Sequence, residues 1–202
     1  MKLAGIVLCG GQSSRMGQAK AWLPFAGETL LGRVVRLLHS AASPVVVVAA
    51  PSQDLPPLPG DVRVVRDAES GRGPLQGVAA GLEALLGQAD AAYVSSCDVP
   101  FLQPAFVTRI AALVGAHQIA APDVGGFRHP LAAVYRLDVL DAVRRLLADN
   151  QLRFGLLFDC VPTRFVRAEE LLGADPDLRS LRNLNTPEDY AAALREAEML
   201  AD

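Results

Sequence analysis

Apolar residues along the chain follow two rhythms: short continuous runs and stripes spaced three and four apart. The two alternate from the first residues onward. "KLAGIVLC" from Lys2 reads as a buried strand. In "ETLLGRVVRLLHSA" from Glu28, Leu30, Leu31, Val34, Val35, Leu37 and Leu38 recur at helical spacing with Arg33 and Arg36 opposite. "PVVVVAA" from Pro44 is a β-branched run of the kind buried on both faces of a parallel sheet. Together these three segments form a βαβ unit.

The alternation continues. "PSQDLPPLPGD" from Pro51 is a proline-rich loop, "VRVVRD" from Val62 a short strand, "GPLQGVAAGLEALLG" from Gly73 a glycine-opened helix, and "AAYVSSCD" from Ala91 a strand ending at Asp98. "VPFLQPAFVTRIAALVGA" turns at two prolines into an amphipathic helix, and "HQIAAPD" follows as a strand. The last third is less regular. "HPLAAVYR" from His129 predicts a strand, "LDVLDAVRRLLADN" from Leu137 a helix capped by Asp138, and "VPTRFVRA" a strand. "TPEDYAAALREAEML" from Thr186 predicts a C-terminal helix, with Thr186 as N-cap, Pro187 at the first helical position and Asp189 closing a capping box. The order predicts one α/β domain with a mainly parallel sheet and helices on both faces, a Rossmann-like arrangement.

Bulk properties narrow the function classes. The 202 residues suffice for one well-buried core, and 51% hydrophobic with 20% charged residues describes a compact chain rather than a disordered one. A formal net charge of -3 lacks the basic excess of a nucleic-acid binder, so phosphate recognition has to come from a local site. Cys9, Cys97 and Cys160 are odd in number and far apart, giving neither a metal pair nor a disulfide framework, which favours a reducing cytoplasm. The apolar stretch from Leu3 to Cys9 is too short to cross a bilayer and lacks a cleavage site, so neither an export signal nor a membrane segment is expected.

Candidate chemistry concentrates in "CGGQSSRMGQAK", Cys9 to Lys20, directly after the first strand. Ligands of such sheets sit beyond the carboxyl ends of the strands. There, glycines expose backbone N–H groups to phosphate oxygens, and Arg15 and Lys20 can neutralise the charge. A Walker A loop fails, because Gly17 is followed by Gln18 and the lysine waits until Lys20. A dinucleotide fingerprint fails as well, because Gly10, Gly11 and Gly17 have the wrong spacing and "VVVVAAPS" ends neutral.

The loop resembles "LxGGxSxRMGxxK" of the nucleotidyltransferases, through Leu8, Gly10, Gly11, Ser13, Arg15, Met16, Gly17 and Lys20, with Cys9 where alanine is usual. Three more segments, "RDAESGRGPLQGVAAGL" with Asp67, Gly73, Pro74 and Gly77, "SSCDVPFL" with Asp98, and "RNLNTPEDY" with Asn183 and Asn185, make the resemblance one to the molybdenum cofactor guanylyltransferases. It runs from Leu3 to about Tyr190. It implies a single nucleotidyltransferase domain over residues 1–202, with a GTP-binding half of about 1–100 and an acceptor half of about 101–190. The implied reaction is GMP transfer from GTP to molybdenum-bound molybdopterin, with Mg²⁺ and release of pyrophosphate. Transient contact with molybdopterin-inserting or molybdenum-loading proteins is a further implication. The same chemistry with CTP or another phosphorylated acceptor is the near alternative, and a non-catalytic nucleotide-binding carrier a remoter one.

By this resemblance Arg15 and Lys20 hold the triphosphate and Asp98 carries the metal. Leu8, Cys9, Gly10 and Gly11 offer backbone groups to guanine, Asp67 contacts the nucleotide, and Gly73, Pro74 and Gly77 border base and ribose. Asn183, Asn185 and Arg128 belong to the acceptor side. Local duties compete with several of these roles: an Asx turn at Asp98 or Asp67, helix-start packing at Gly73 to Gly77, and capping beside the asparagines. His129 next to Arg128 is either an acceptor contact or a strand-edge residue. Trp22 and Phe25 either stack on a base or pack after the loop. The family asparagine after the second strand has no counterpart in "VVVVAAPSQD", where Ser52 and Gln53 are the polar residues at hand.

Overall fold

The structure is a computed structural model, and it describes residues 1–10, 19–67 and 72–200. β1 (Leu3–Leu8) leads toward a 3-10 turn, Lys20–Trp22, and a small hairpin of β2 (Pro24–Phe25) and β3 (Glu28–Thr29). α1 (Leu30–His39) follows, then β4 (Val45–Ala49), β5 (Arg63–Arg66), α2 (Pro74–Ala84), β6 (Ala91–Ser96) and α3 (Pro104–Leu113). The remainder comprises β7 (Ile119–Val124), β8 (Phe127–Arg128), β9 (Ala132–Arg136), α4 (Leu140–Ala148), α5 (Phe154–Cys160), β10 (Thr163–Arg167) and α6 (Pro187–Met199).

Among the described residues the main sheet has eight strands, in the order β10-β7-β9-β6-β1-β4-β5, with β8 on the end of β7. β6, β1, β4 and β5 are mutually parallel, whereas β9 runs antiparallel between β6 and β7. Both faces are covered. Ala4, Ile6 and Leu8 of β1 join Val46, Val48, Ala92 and Val94 under α2, α4 and α5. Val7 and Cys9 join Val45, Val47, Tyr93 and Cys97 under α1 and α3. The period-two alternation of a strand thus feeds two cores, which is why these runs read as continuously apolar.

Several local expectations need correction. The helix expected from Glu28 begins at Leu30, because Glu28 and Thr29 pair with Pro24 and Phe25, and Thr29 Oγ1 accepts from Gly32 N at 3.2 Å as the N-cap. The turn of that hairpin uses Ala26 and Gly27 at positive φ. Asp138 caps nothing: Leu137–Val139 is a 3-10 turn and α4 starts behind it without a side-chain cap. α5 and β8 were not foreseen. The capping box of α6 forms as expected, with Thr186 Oγ1 accepting from Asp189 N at 3.1 Å and Asp189 Oδ2 accepting from Thr186 N at 2.9 Å.

The chain leaves β1 through α1 toward β4 on one side, and leaves β6 through α3 toward β7 on the other. The carboxyl ends of β1 and β6 therefore flank a topological switch point, the position at which open α/β sheets bind ligands.

Candidate active site

Four segments meet at this switch point. β1 delivers Leu8, Cys9 and Gly10, and β6 delivers Ser96, Cys97 and Asp98, with Cys97 N donating to Leu8 O at 3.0 Å. The turn after the glycine loop delivers Lys20. Residues 183–185 run alongside, with Leu184 N donating to Asp98 O at 3.0 Å.

The Asp98 carboxylate is buried and fully engaged. Its Oδ2 accepts from Lys20 Nζ at 2.6 Å, and its Oδ1 accepts from Ser96 Oγ at 2.6 Å and Asn183 Nδ2 at 2.7 Å. Asn183 Nδ2 also lies 2.9 Å from Ser96 Oγ, while Lys20 Nζ also donates to Asn185 Oδ1 at 3.3 Å. Asn185 is positioned from behind, because its N–H donates to Asp189 Oδ2 at 3.1 Å and so shares the α6 capping box. The helix-start duty read from Thr186 to Asp189 and the site duty read from the asparagines are thus one structure.

Asn183 also borders a cavity beside the Asp98 cluster. With Arg128, His129, Val99, Leu131 and Ser180 it lines this space of about 200 Å³. Arg128 stacks on the Phe165 ring with its guanidinium carbon 4.2 Å from the centroid, a cation–π contact that orients a charged side chain without spending its hydrogen bonds. His129 lies between β8 and β9, outside both, and its N–H donates to Pro122 O at 2.9 Å. Burial pushes its imidazole below the usual value, against the opposing pull of Asp123.

Asp67 follows β5, and its N–H donates to Ala49 O at 2.8 Å. Gly73 takes a φ of +75° as the N-cap of α2, which favours glycine, and Pro74 occupies the first turn. Gly77 faces inward: a Cβ there would stand 3.2 Å from Leu8 Cδ2, so it lets α2 close against the carboxyl end of β1. Gly11 and Arg15 lie outside the described residues.

Gln53 reaches Cys9 from the segment after β4. Its Nε2 donates to Cys9 O at 2.9 Å and contacts Cys9 Sγ at 3.4 Å, while its Oε1 accepts from Ala50 N at 3.1 Å. The side chain after β4 therefore braces the backbone at the first residue of the glycine loop. Cys9 and Cys97 are buried in the same core, where their mutual interaction holds the Cys9 thiol below its usual value and, with burial, pushes that of Cys97 up. Phe25 packs edge-on to Phe101 with centroids 5.6 Å apart, and exposed Trp22 donates to Asp54 O at 3.2 Å, so both rings have local duties.

A larger hollow of about 320 Å³ lies between α2, α4 and β5. Its arginines serve the fold. Arg66 donates to Ala50 O and Gln53 O, Arg72 to Leu147 O, and Arg144 pairs with Glu83.

For a metal, Asp98 supplies one hard oxygen donor, and no cluster of three His, Cys, Asp or Glu side chains occurs among the described residues. That donor set fits Mg²⁺, which binds through one or two carboxylates completed by phosphate oxygens, and does not fit a metal held by protein alone. Among the described residues, no helix is long and apolar enough to cross a membrane.

Comparisons with known proteins bear on the family and the fold. The MobA-like NTP transferase domain family matches residues 5–158. A probable molybdenum cofactor guanylyltransferase of Mycobacterium avium is 36% identical over 199 residues, covering 95% of each chain. One from Mycobacterium tuberculosis is 38% identical over 193 residues, covering 91% of this chain and 89% of that one. The solved molybdopterin-guanine dinucleotide biosynthesis protein A of Archaeoglobus fulgidus superimposes with a TM-score of 0.80 at 22% identity, over 98% of this chain and 100% of that one. The chain belongs to the MobA-like NTP transferase family.

Proposed function

We propose that the protein transfers GMP from GTP to the phosphate of molybdenum-bound molybdopterin, forming the guanine dinucleotide cofactor and releasing pyrophosphate. The observation that carries this reading is the Lys20–Asp98–Asn183 constellation, which spans from the glycine loop to the acceptor-side cavity at the sheet's switch point. The names of the relatives give independent support.

In this reading an acceptor phosphate oxygen bonds to the α-phosphorus of GTP as the α–β bridging bond breaks in line, and the electron pair leaves with pyrophosphate. Positioning and charge neutralisation are what such a transfer needs, and no covalent nucleophile is required. Residues 1–100 hold the nucleotide: backbone groups of Leu8, Cys9, Gly10 and Gly11 face guanine, Asp67 and the Gly73, Pro74 and Gly77 segment border the ribose, and Arg15 and Lys20 hold the triphosphate. Residues 101–190 hold the acceptor through Arg128, Asn183 and Asn185. Lys20 is kept on Asp98 until phosphate oxygens offer it a second anionic partner. Asp98, still held by Ser96 and Asn183, would be the protein ligand of Mg²⁺, which when bound supplies charge neutralisation on the phosphates. The three free cysteines accord with a reducing cytoplasm.

Incubation with GTP, Mg²⁺ and molybdenum-loaded molybdopterin is expected to release pyrophosphate and yield the dinucleotide, with GTP preferred over the other three triphosphates. Absence of product with all four would overturn the reading, and preference for CTP would turn it toward the cytidylyl reaction.

A further inference from the structure

Asp98 Oδ1, Ser96 Oγ and Asn183 Nδ2 form a closed triangle. Ser96 Oγ lies 2.6 Å from the carboxylate oxygen and Asn183 Nδ2 2.7 Å, while Asn183 Nδ2 and Ser96 Oγ are themselves 2.9 Å apart. An amide nitrogen only donates, so Ser96 Oγ accepts from Asn183 and its own proton points at the carboxylate. A carboxylate has about four lone-pair positions on its pair of oxygens, so two donors fill one oxygen. Oδ1 is therefore filled by the protein. Oδ2 differs: among the described residues it accepts from Lys20 Nζ alone, at 2.6 Å.

Backbone holds the triangle from both sides. Ser96 is the last residue of β6 and pairs in register with Leu8 of β1, so its hydroxyl is mounted on the sheet rather than on a loop. Asn183 is held through its neighbour Leu184, whose N–H donates to Asp98 O at 3.0 Å. Asp98 is 7% exposed, which leaves water little access to replace either donor. Ser95 plays no part in the triangle: its Oγ donates to Ser96 O at 3.1 Å.

We propose that Ser96 is a positioning residue that, with Asn183, restricts Asp98 to a single metal-facing oxygen and thereby selects the cation. The inference rests on the reading of Asp98 as the metal ligand. Coordination through both carboxylate oxygens needs Oδ1, which has no position left for a cation. Mg²⁺ and Mn²⁺ keep octahedral shells that one carboxylate oxygen, phosphate oxygens and water complete. Ca²⁺ takes a larger shell, in which a carboxylate can bind through both oxygens. The Ser96 hydroxyl thus withholds from calcium an oxygen that magnesium does not use.

The test reads binding rather than turnover. With GTP present and no acceptor, bound Mn²⁺ is followed by electron paramagnetic resonance while Ca²⁺ is added. Ser96→Ala should lower the Ca²⁺ concentration that displaces half of the bound Mn²⁺ by on the order of tenfold, the scale of losing a hydrogen-bond partner behind a metal ligand. Ser96→Thr keeps the hydroxyl and should stay at the wild-type value, as should Ser95→Ala. Asn183→Ala empties the other position on Oδ1 and should shift displacement in the same direction, which decides the matter if Ser96→Ala does not fold. An unchanged displacement point in Ser96→Ala, an equal shift in Ser96→Thr or Ser95→Ala, or, where Ser96→Ala does not fold, no shift in Asn183→Ala, overturns the inference. A shifted point in a chain that forms no dinucleotide leaves the positioning role standing and removes the guanylyl-transfer reading. Dinucleotide formation with an unshifted point removes the positioning role alone.

Discussion

Lys20 Nζ stands 2.6 Å from Asp98 Oδ2, so the cation behind the glycine loop and the carboxylate after β6 neutralise each other across 78 residues of sequence. Asp98 also holds Ser96 and Asn183 on its other oxygen, so removing Lys20 leaves the carboxylate placed but no longer balanced. In Lys20→Met the triphosphate loses its charge partner. Turnover should fall roughly 10²–10³-fold, the scale of removing one electrostatic stabiliser, with a raised KM for GTP. Asp98→Asn is isosteric and should fold, but should lose the dependence of pyrophosphate release on added Mg²⁺. A metal requirement unchanged in that variant would remove Asp98 from the metal site.

Asn183 links the Asp98 cluster to the neighbouring cavity. Its Nδ2 bonds Asp98 and Ser96, and the residue lines that cavity. Asn183→Ala removes one donor from a buried carboxylate, worth about 1.5–3 kcal/mol for a bond to a charged group. The expected kinetic signature is a raised KM for the acceptor with a smaller change in KM for GTP. If both constants rise equally, Asn183 acts on the nucleotide site as a whole.

Gln53 holds the Cys9 carbonyl through Nε2, and its Oε1 returns to Ala50 N. Shortening it to asparagine takes the amide out of reach of Cys9. Gln53→Asn should therefore raise KM for GTP several-fold, by about 1 kcal/mol for one neutral hydrogen bond, and leave KM for the acceptor unchanged. An unaltered KM for GTP would mean that the brace is not transmitted to the loop.

Glycines on the inner face of α2 separate packing from chemistry. A Cβ at Gly81 would stand 2.8 Å from two carbons of the buried Ile6, whereas one at Gly77 would stand 3.2 Å from Leu8 Cδ2. Gly81→Ala overpacks the core and should cost about 1–3 kcal/mol in urea unfolding, with kinetic constants of the folded fraction unchanged. Gly77→Ala should cost less stability but shift KM for GTP, because Leu8 is the residue that must give. Equal stability losses without a KM effect would assign Gly77 to packing alone.

Much of this site is legible along the chain because the loop, the strand-end aspartates and the asparagines lie at fixed places relative to elements that announce themselves. What could not be read were relations across the chain. That Lys20 rests on Asp98, that Asn185 hangs on the α6 capping box, and that Gln53 reaches Cys9 all depend on which strand ends become neighbours. The direction of β9 was equally hidden, because a strand buried on both faces has no alternation to read, and the turn through Gly125 and Gly126, both at positive φ, sets it. α5 was missed for a different reason: seven residues, "FGLLFDC", carry too little period to separate a short helix from a buried run, and no side-chain cap marks its start. The Glu28–Thr29 strand reads as helix along the chain because two residues at an N-cap look helical until their partners Pro24 and Phe25 are known.

His129 gives the pH dependence its sign. Burial lowers its pKa from the ordinary 6.5, so below that pH the unfolded chain binds a proton that the folded chain resists. Stability is therefore fully present above about 6.5 and declines as pH falls through the lowered value. The carboxylates whose pKa values are lowered, such as Glu28 beside Arg36, act in a separate window: their stabilisation is present above the ordinary 4.5 and is lost only as pH falls below it. Between these windows the slope belongs mainly to His129, so His129→Asn should flatten the urea-unfolding free energy as pH falls below about 6.5 while leaving the steeper acid limb intact. Because His129 lines the cavity with Asn183, its protonation in the folded chain, which sets in only as pH falls to the lowered value, places a cation on the wall of that cavity. The KM for the phosphorylated acceptor should then change with pH in the wild-type chain and not in His129→Asn, and an identical profile in the two would mean that His129 does not face the acceptor.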